Sequence, residues 1–181
     1  IAVFHSALLK PGSDATPKNV TINGNTLIRN GGTQTFLGKT YTNGGQMGTG
    51  RAAICVEAQG PDHLYTSSAA KLYNITISNN TIQESHINGV FCHNIKGLIL
   101  KNNNAINCNI DQSNFTGRIF EIYNCNDVVA DKNLAVDNRM KKRHNRGYSI
   151  QNSTVKNGLW TIKGFTDVSG IEIDGVSKIL N

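Results

Sequence analysis

One six-residue pattern constrains this chain more than its composition does. It occurs at Val20-Thr21-Ile22-Asn23-Gly24-Asn25, Ile75-Thr76-Ile77-Ser78-Asn79-Asn80, Leu98-Ile99-Leu100-Lys101-Asn102-Asn103 and Val128-Val129-Ala130-Asp131-Lys132-Asn133. Each copy reads apolar, any residue, apolar, two polar residues, Asn. Alternation with period two marks a strand with one buried face. The Asn at the sixth position predicts a sharp turn, because Asn tolerates the left-handed region and bonds its own backbone. Asn25, Asn80, Asn103 and Asn133 are then expected to stack as a ladder of side-chain amides. The copies lie 55, 23 and 30 residues apart, as loops of unequal length on a regular stack require.

A second strand precedes each copy. Val90-Phe91-Cys92-His93-Asn94 and Phe120-Glu121-Ile122-Tyr123-Asn124 stand in one register, with six residues from Cys92 to Leu98 and from Ile122 to Val128. Ile54-Cys55-Val56-Glu57 takes that place before the second copy. Tyr148-Ser149-Ile150-Gln151-Asn152 and Ile171-Glu172-Ile173-Asp174-Gly175 continue the column, although the Asn ladder stops after Asn133. A helical reading fails: the apolar residues do not recur at three and four, and 24 Asn and 18 Gly are poor helix formers. An antiparallel sandwich also alternates, but it does not repeat Asn at one position of every unit. The expected fold is an all-β solenoid, a parallel β-helix of about five to six coils with roughly three short strands in each. It forms a single domain over residues 1–181. Ile1-Ala2-Val3-Phe4 reads as an internal strand with no cap before it, so the chain is expected to be a piece of a longer helix, truncated at the N-terminus.

The unit at residues 89–103 resembles the repeat of right-handed parallel β-helix proteins, the pectate-lyase-like superfamily, and the resemblance spans residues 1–175. Residues 54–80 and the coils after them are similar to α-1,3-galactosidase-type glycoside hydrolases. The resemblance implies a right-handed helix, a polysaccharide or glycan substrate, and a secreted or periplasmic protein. It also implies that the substrate groove lies on the outer face of the strand ending in Asn94 or Asn124. The paired Asp, Gly-His-Gly and Arg-x-Lys of the polygalacturonase branch are absent, and no Asp/Glu cluster resembles a pectate lyase calcium site. No metal and no cofactor is implied.

Loop lengths point to the same column. Long segments enter it at 31–50, 109–117 and 139–146 and leave it at 7–18 and 59–71, whereas the ladder turns stay short. Loops on both edges of one strand column wall a cleft. Alternation places Cys55, Phe91, Glu121, Ser149 and Glu172 in one outward row, and Glu57, His93, Tyr123, Gln151 and Asp174 in the next, on an exposed face. Carboxylates, an imidazole and a phenol together suit sugar binding and acid–base chemistry. Glu57 and Glu121 stand roughly 12 Å apart between backbones. Side chains shorten that to the inverting range of about 6.5–9.5 Å more readily than to the retaining one of about 5–5.5 Å. The expected activity is inverting glycoside hydrolysis, with Glu57, Glu121 and His93 as catalytic candidates. Tyr123, Phe91, Gln151, Asp174, Glu172 and Arg143 are the substrate contacts. Elimination by a lyase, with His93 or Tyr123 as base, is an alternative. The same residues also fit a plain solvated surface, since outward positions of a solenoid must be polar somewhere.

Arg139-Met140-Lys141-Lys142-Arg143-His144-Asn145-Arg146 carries five Lys or Arg, enough to hold an anionic glycan at the cleft edge or simply to solvate a loop. No aromatic platform interleaves it, which disfavours nucleic acid as partner. No apolar run approaches the 18 or so residues of a membrane helix. Cys55, Cys92, Cys108 and Cys125 show no metal-site spacing and read as small buried fillers. Three functional classes remain: a carbohydrate-active enzyme, a glycan-binding adhesin or tail-fibre rod that trimerises, and a structural module of a larger protein.

Overall fold

The structure is a computed structural model, and it describes residues 1–6, 17–30, 34–36, 39–41, 52–59, 71–86, 88–108, 118–141, 146–165 and 171–180. None of these is helical. The strands are β1 (Ala2–Ser6), β2 (Lys18–Asn23), β3 (Thr26–Ile28), β4 (Gln34–Phe36), β5 (Lys39–Tyr41), β6 (Ala52–Gln59), β7 (Leu72–Ser78), β8 (Thr81–Gln83) and β9 (Asn88–His93). They continue with β10 (Ile95–Lys101), β11 (Asn104–Ile106), β12 (Arg118–Tyr123), β13 (Asn126–Val136), β14 (Arg146–Gln151), β15 (Thr154–Lys163), β16 (Ile171–Ile173) and β17 (Lys178–Leu180).

The first sheet has the order β1-β6-β9-β12-β14-β16, with every pair parallel. The second runs β2-β7-β10-β13 along one arm and returns through β11, β8 and β3 along the other, with β15 beside β13 and β17 beside β15. Its pairs are parallel too, and β13 spans both arms, pairing with β10 and then with β11. Among the described strands only β4 and β5 pair antiparallel, as a hairpin. The chain thus visits the first sheet and then the two arms of the second, and each pass lies on the one before. This all-β parallel arrangement is compatible with a β-helix.

The repeated hexapeptides superpose as expected. Val20, Ile75, Leu98 and Val128 stand side by side. Each of them, except half-buried Val20, belongs to a core that also takes Ile54, Val56, Val90, Cys92, Phe120, Ile122 and Ile150 from the first sheet. Burying each large apolar side chain contributes roughly 1.5–3 kcal/mol before conformational entropy is set against it. All four cysteines are buried in strands or turns, and none forms a disulfide. Burial drives the Cys92 thiol well above its ordinary pKa and pushes Cys108 and Cys125 up to about 12.

The ladder forms, with one correction to how the turn is made. The left-handed residue is not the ladder Asn but the residue before it: Gly24 (φ 69°), Asn79 (55°), Asn102 (54°) and Lys132 (52°). That single reversal swings the following side chain inward, where its amide is shielded from water. Asn80 Nδ2 donates to Ile22 O at 3.0 Å and to Asn103 Oδ1 at 2.9 Å. Its Oδ1 accepts from the backbone N–H and the side-chain amide of Asn25. Asn103 repeats the scheme towards Asn133. In the next pass Trp160 stands opposite Asn133, and the pairing of β13 with β15 slips twice beside it. The Trp160 indole donates to Ala130 O at 3.0 Å. Its ring stacks on buried Tyr148 at 4.5 Å between centroids, and Tyr148 stacks on Phe120 at 4.8 Å.

Candidate functional site

The outer face of the first sheet is built from a simple local rule. In each strand two consecutive residues turn inward, Ala53-Ile54 and Ile119-Phe120 being core members. Gly89 and Gly147 hold the equivalent first positions because a Cβ there would stand 3.1 Å from Ala105 Cβ or 3.0 Å from Ala135 Cβ. Outward residues therefore follow spacings of three and two: 52, 55, 57; 88, 91, 93; 118, 121, 123; 146, 149, 151.

The register assembles the two expected rows. Cys55 pairs with Phe91, Phe91 with Glu121, Glu121 with Ser149 and Ser149 with Glu172. Glu57 pairs with His93, His93 with Tyr123 and Tyr123 with Gln151. Their environment differs from the expected open face. Glu57 and His93 expose none of their surface, Phe91 1% and Cys55 2%. The reason lies in composition: Ala52, Cys55 and Phe91 form an apolar cluster on this outer side, and such a cluster is unfavourable in water. Within it the Cys55 thiol donates to Glu57 Oε1 at 3.6 Å. The His93 ring lies between Phe91 and Tyr123, at 6.2 and 5.1 Å between centroids, with interplanar angles of 22° and 24°.

The face opens over β12 and β14. Tyr123, Glu121 and Gln151 are half-buried there. Glu121 accepts from Asn88 Nδ2 at 3.0 Å and sits 3.6 Å from Arg118 Nη1, with its side chain 12% exposed. Gln151 donates to Ser149 Oγ at 3.0 Å, which fixes its amide. A third outward column, which alternation by two does not reveal, contains Ala52 opposite Asn88 and Arg118 opposite Arg146. The signal for it was the inward pair of residues that starts each strand.

Asp174, expected as a substrate contact, caps a turn. Its Oδ1 accepts from the backbone N–H of Ser177 at 2.7 Å and of Val176 at 3.3 Å, and its Oδ2 from that of Asn152 at 2.7 Å. Slight burial raises its pKa, but the Ser177 hydroxyl and those N–H donors outweigh it and hold the carboxyl below the ordinary value. Glu172 lies in β16 opposite Ser149. Arg143 lies outside the described residues. Arg139, which opens the basic run, is committed elsewhere: its guanidinium pairs with buried Asp137 at 2.8 Å and donates to Cys108 O. Among the described residues no three His, Cys, Asp or Glu side chains are placed to hold a metal ion.

No protein-family model, no curated protein and no solved structure matches the chain.

Proposed function

We propose that the chain is a right-handed parallel β-helix that binds a glycan across β12 and β14, on the outer face of its first sheet. Tyr123 carries this reading. It is a half-buried ring in the outward row, backed by the His93 ring at 5.1 Å, with Glu121 and Gln151 beside it. An aromatic platform flanked by a carboxylate and an amide holds the apolar face of a sugar and its hydroxyls together. Arg118 and Arg146 at the edge suit an acidic sugar. Binding without turnover is the primary form of the reading. Of the two carboxylates an inverting hydrolase would use, Glu121 keeps part of its side chain exposed, whereas Glu57 exposes none of its surface. Such a protein works outside the cytoplasm, where glycans are met.

The test is a screen against neutral, uronic-acid and sulfated polysaccharides that follows binding, new reducing ends and unsaturated products together. Binding without either product is expected, weakened about ten-fold or more in Tyr123→Ala, as loss of a stacking ring gives. Reducing ends that vanish in both Glu57→Gln and Glu121→Gln would replace this reading with inverting hydrolysis. Unsaturated product would replace it with a lyase, and silence in every well would end it.

A further inference from the structure

The second sheet has an outer face of a different character. Asn19, Asn74, Gly97 and Asp127 take left-handed conformations at one level of successive strands, with φ of 57°, 54°, 78° and 52°. Each reversal breaks the alternation and turns the preceding residue outward. Lys18 therefore stands opposite Tyr73, Tyr73 opposite Lys96, and Lys96 opposite Asn126. Lys18, Tyr73, Lys96 and Asn126 are all exposed. Lys71 joins the row, its Nζ donating to Asn126 Oδ1. Farther along the strands Lys101 and Lys156 are exposed, as are Lys132 and Lys178. Seven of the twelve lysines of the chain thus lie on this arm against two aspartates, Asp127 and Asp131. Asp131 is the direct neighbour of Lys101, so the surplus falls around Tyr73.

We propose that this face is a second, non-catalytic binding surface for a linear acidic polysaccharide, one with a carboxylate or sulfate on successive sugars. Lys18 and Lys96 are two strands apart, about 9.6 Å, on either side of the Tyr73 ring. The ring takes the apolar face of one sugar while the two ammonium groups take acid groups before and after it. A row of parallel strands presents these groups along a line, as an extended polymer requires. Single-stranded nucleic acid fits less well, because successive bases need successive aromatic platforms and this row holds one. The proposal uses no residue of the first-sheet face, so either surface stands without the other.

The experiment measures affinity of the full chain for polygalacturonate, dextran sulfate, neutral dextran and single-stranded DNA over a salt series. It compares the parent chain with the triple variant Lys18→Gln, Lys96→Gln, Lys101→Gln, and with Tyr73→Ala, Lys96→Glu and Tyr123→Ala. The acidic polymers are expected to bind and neutral dextran not to. The triple variant should lose about ten-fold or more in affinity and show a shallower salt dependence, as fewer counterions are released. Tyr73→Ala should weaken the salt-dependent binding several-fold, and it should do so equally in a Tyr123→Ala background, where the first-sheet face no longer contributes. Lys96→Glu reads the same surface by one charge reversal if the triple variant is unstable. Unchanged affinity in the lysine variants, loss confined to Tyr123→Ala, or tighter binding of single-stranded DNA than of either acidic polysaccharide would overturn the proposal.

Discussion

Asn80 shows what one buried side chain does in this fold. An amide has two donor and two acceptor sites, and Asn80 fills all four with groups from the passes on either side. Asn80→Ala leaves Ile22 O without its donor and both Asn25 donors without their acceptor. It should cost about 2–4 kcal/mol, whereas Asn25→Ala, at a half-exposed rung, should cost about 1 kcal/mol. Chemical denaturation of the two variants checks the order, and equal losses would contradict it. Asp174 makes a prediction of opposite kind, about pH. Its carboxyl is held below its ordinary value on folding, so the stabilisation it provides is complete above the unfolded pKa and is lost as pH falls through the lower folded one. Acidification below about pH 4 should shift the Ser177 and Val176 amide resonances together. Asp174→Asn should abolish that titration, and a midpoint above that of a free Asp would refute the assignment.

At the scale of strands, the sequence disclosed period and register because both depend on nearest neighbours. Val20, Ile75, Leu98 and Val128 align wherever apolar alternation must face one core. It did not disclose the fifth pass, where Val155 pairs with Val128 but Trp160 replaces the ladder Asn and slips the pairing. A bulky ring that stacks on Tyr148 satisfies its one donor through Ala130 O, a solution with no counterpart in the motif. Nor did it disclose that Glu57 and His93 are covered. Alternation tells which side a residue faces, not how much of that side is exposed. Arg118 and Arg146 were missed because Ile119-Phe120 and Gly147-Tyr148 each spend two residues facing inward. The buried thiols offer a check on how firmly these strands are held. With Cys92 driven far up and Cys108 and Cys125 at about 12, the folded protein should not react with a thiol reagent between pH 7 and 9. Labelling should proceed only through opening, at least about a thousand-fold slower than in denaturant. Prompt modification of either strand cysteine, Cys55 or Cys92, would mean that β6 or β9 is loosely seated.

The molecule as a whole keeps two faces of unlike chemistry on one core. Around Tyr123 a few carboxyl, amide and guanidinium groups are fixed by their neighbours, which on the proposed reading favours orientation of a bound sugar. Around Tyr73 exposed Lys18 and Lys96 add to a surplus of positive charge, which on the proposed reading favours capture of charge at a distance and makes that capture sensitive to salt. The left-handed residues make both the ladder turns and the outward lysine row possible, so one backbone device serves shape and surface alike. The two columns of stacked amides carry a further consequence. From Asn25 to Asn133 each amide-to-amide bond is donated towards the later pass, while the second N–H of Asn80, Asn103 and Asn133 reaches back to a strand carbonyl. From Asn152 through Asn124 to Asn94, and on to Ala58 O, each bond is donated towards the earlier pass. The dipole moments of the two columns run in opposite senses along the stacking axis. The two sets of amide dipoles offset one another along the stacking axis, so together they do not build up the end charges that an α-helix carries.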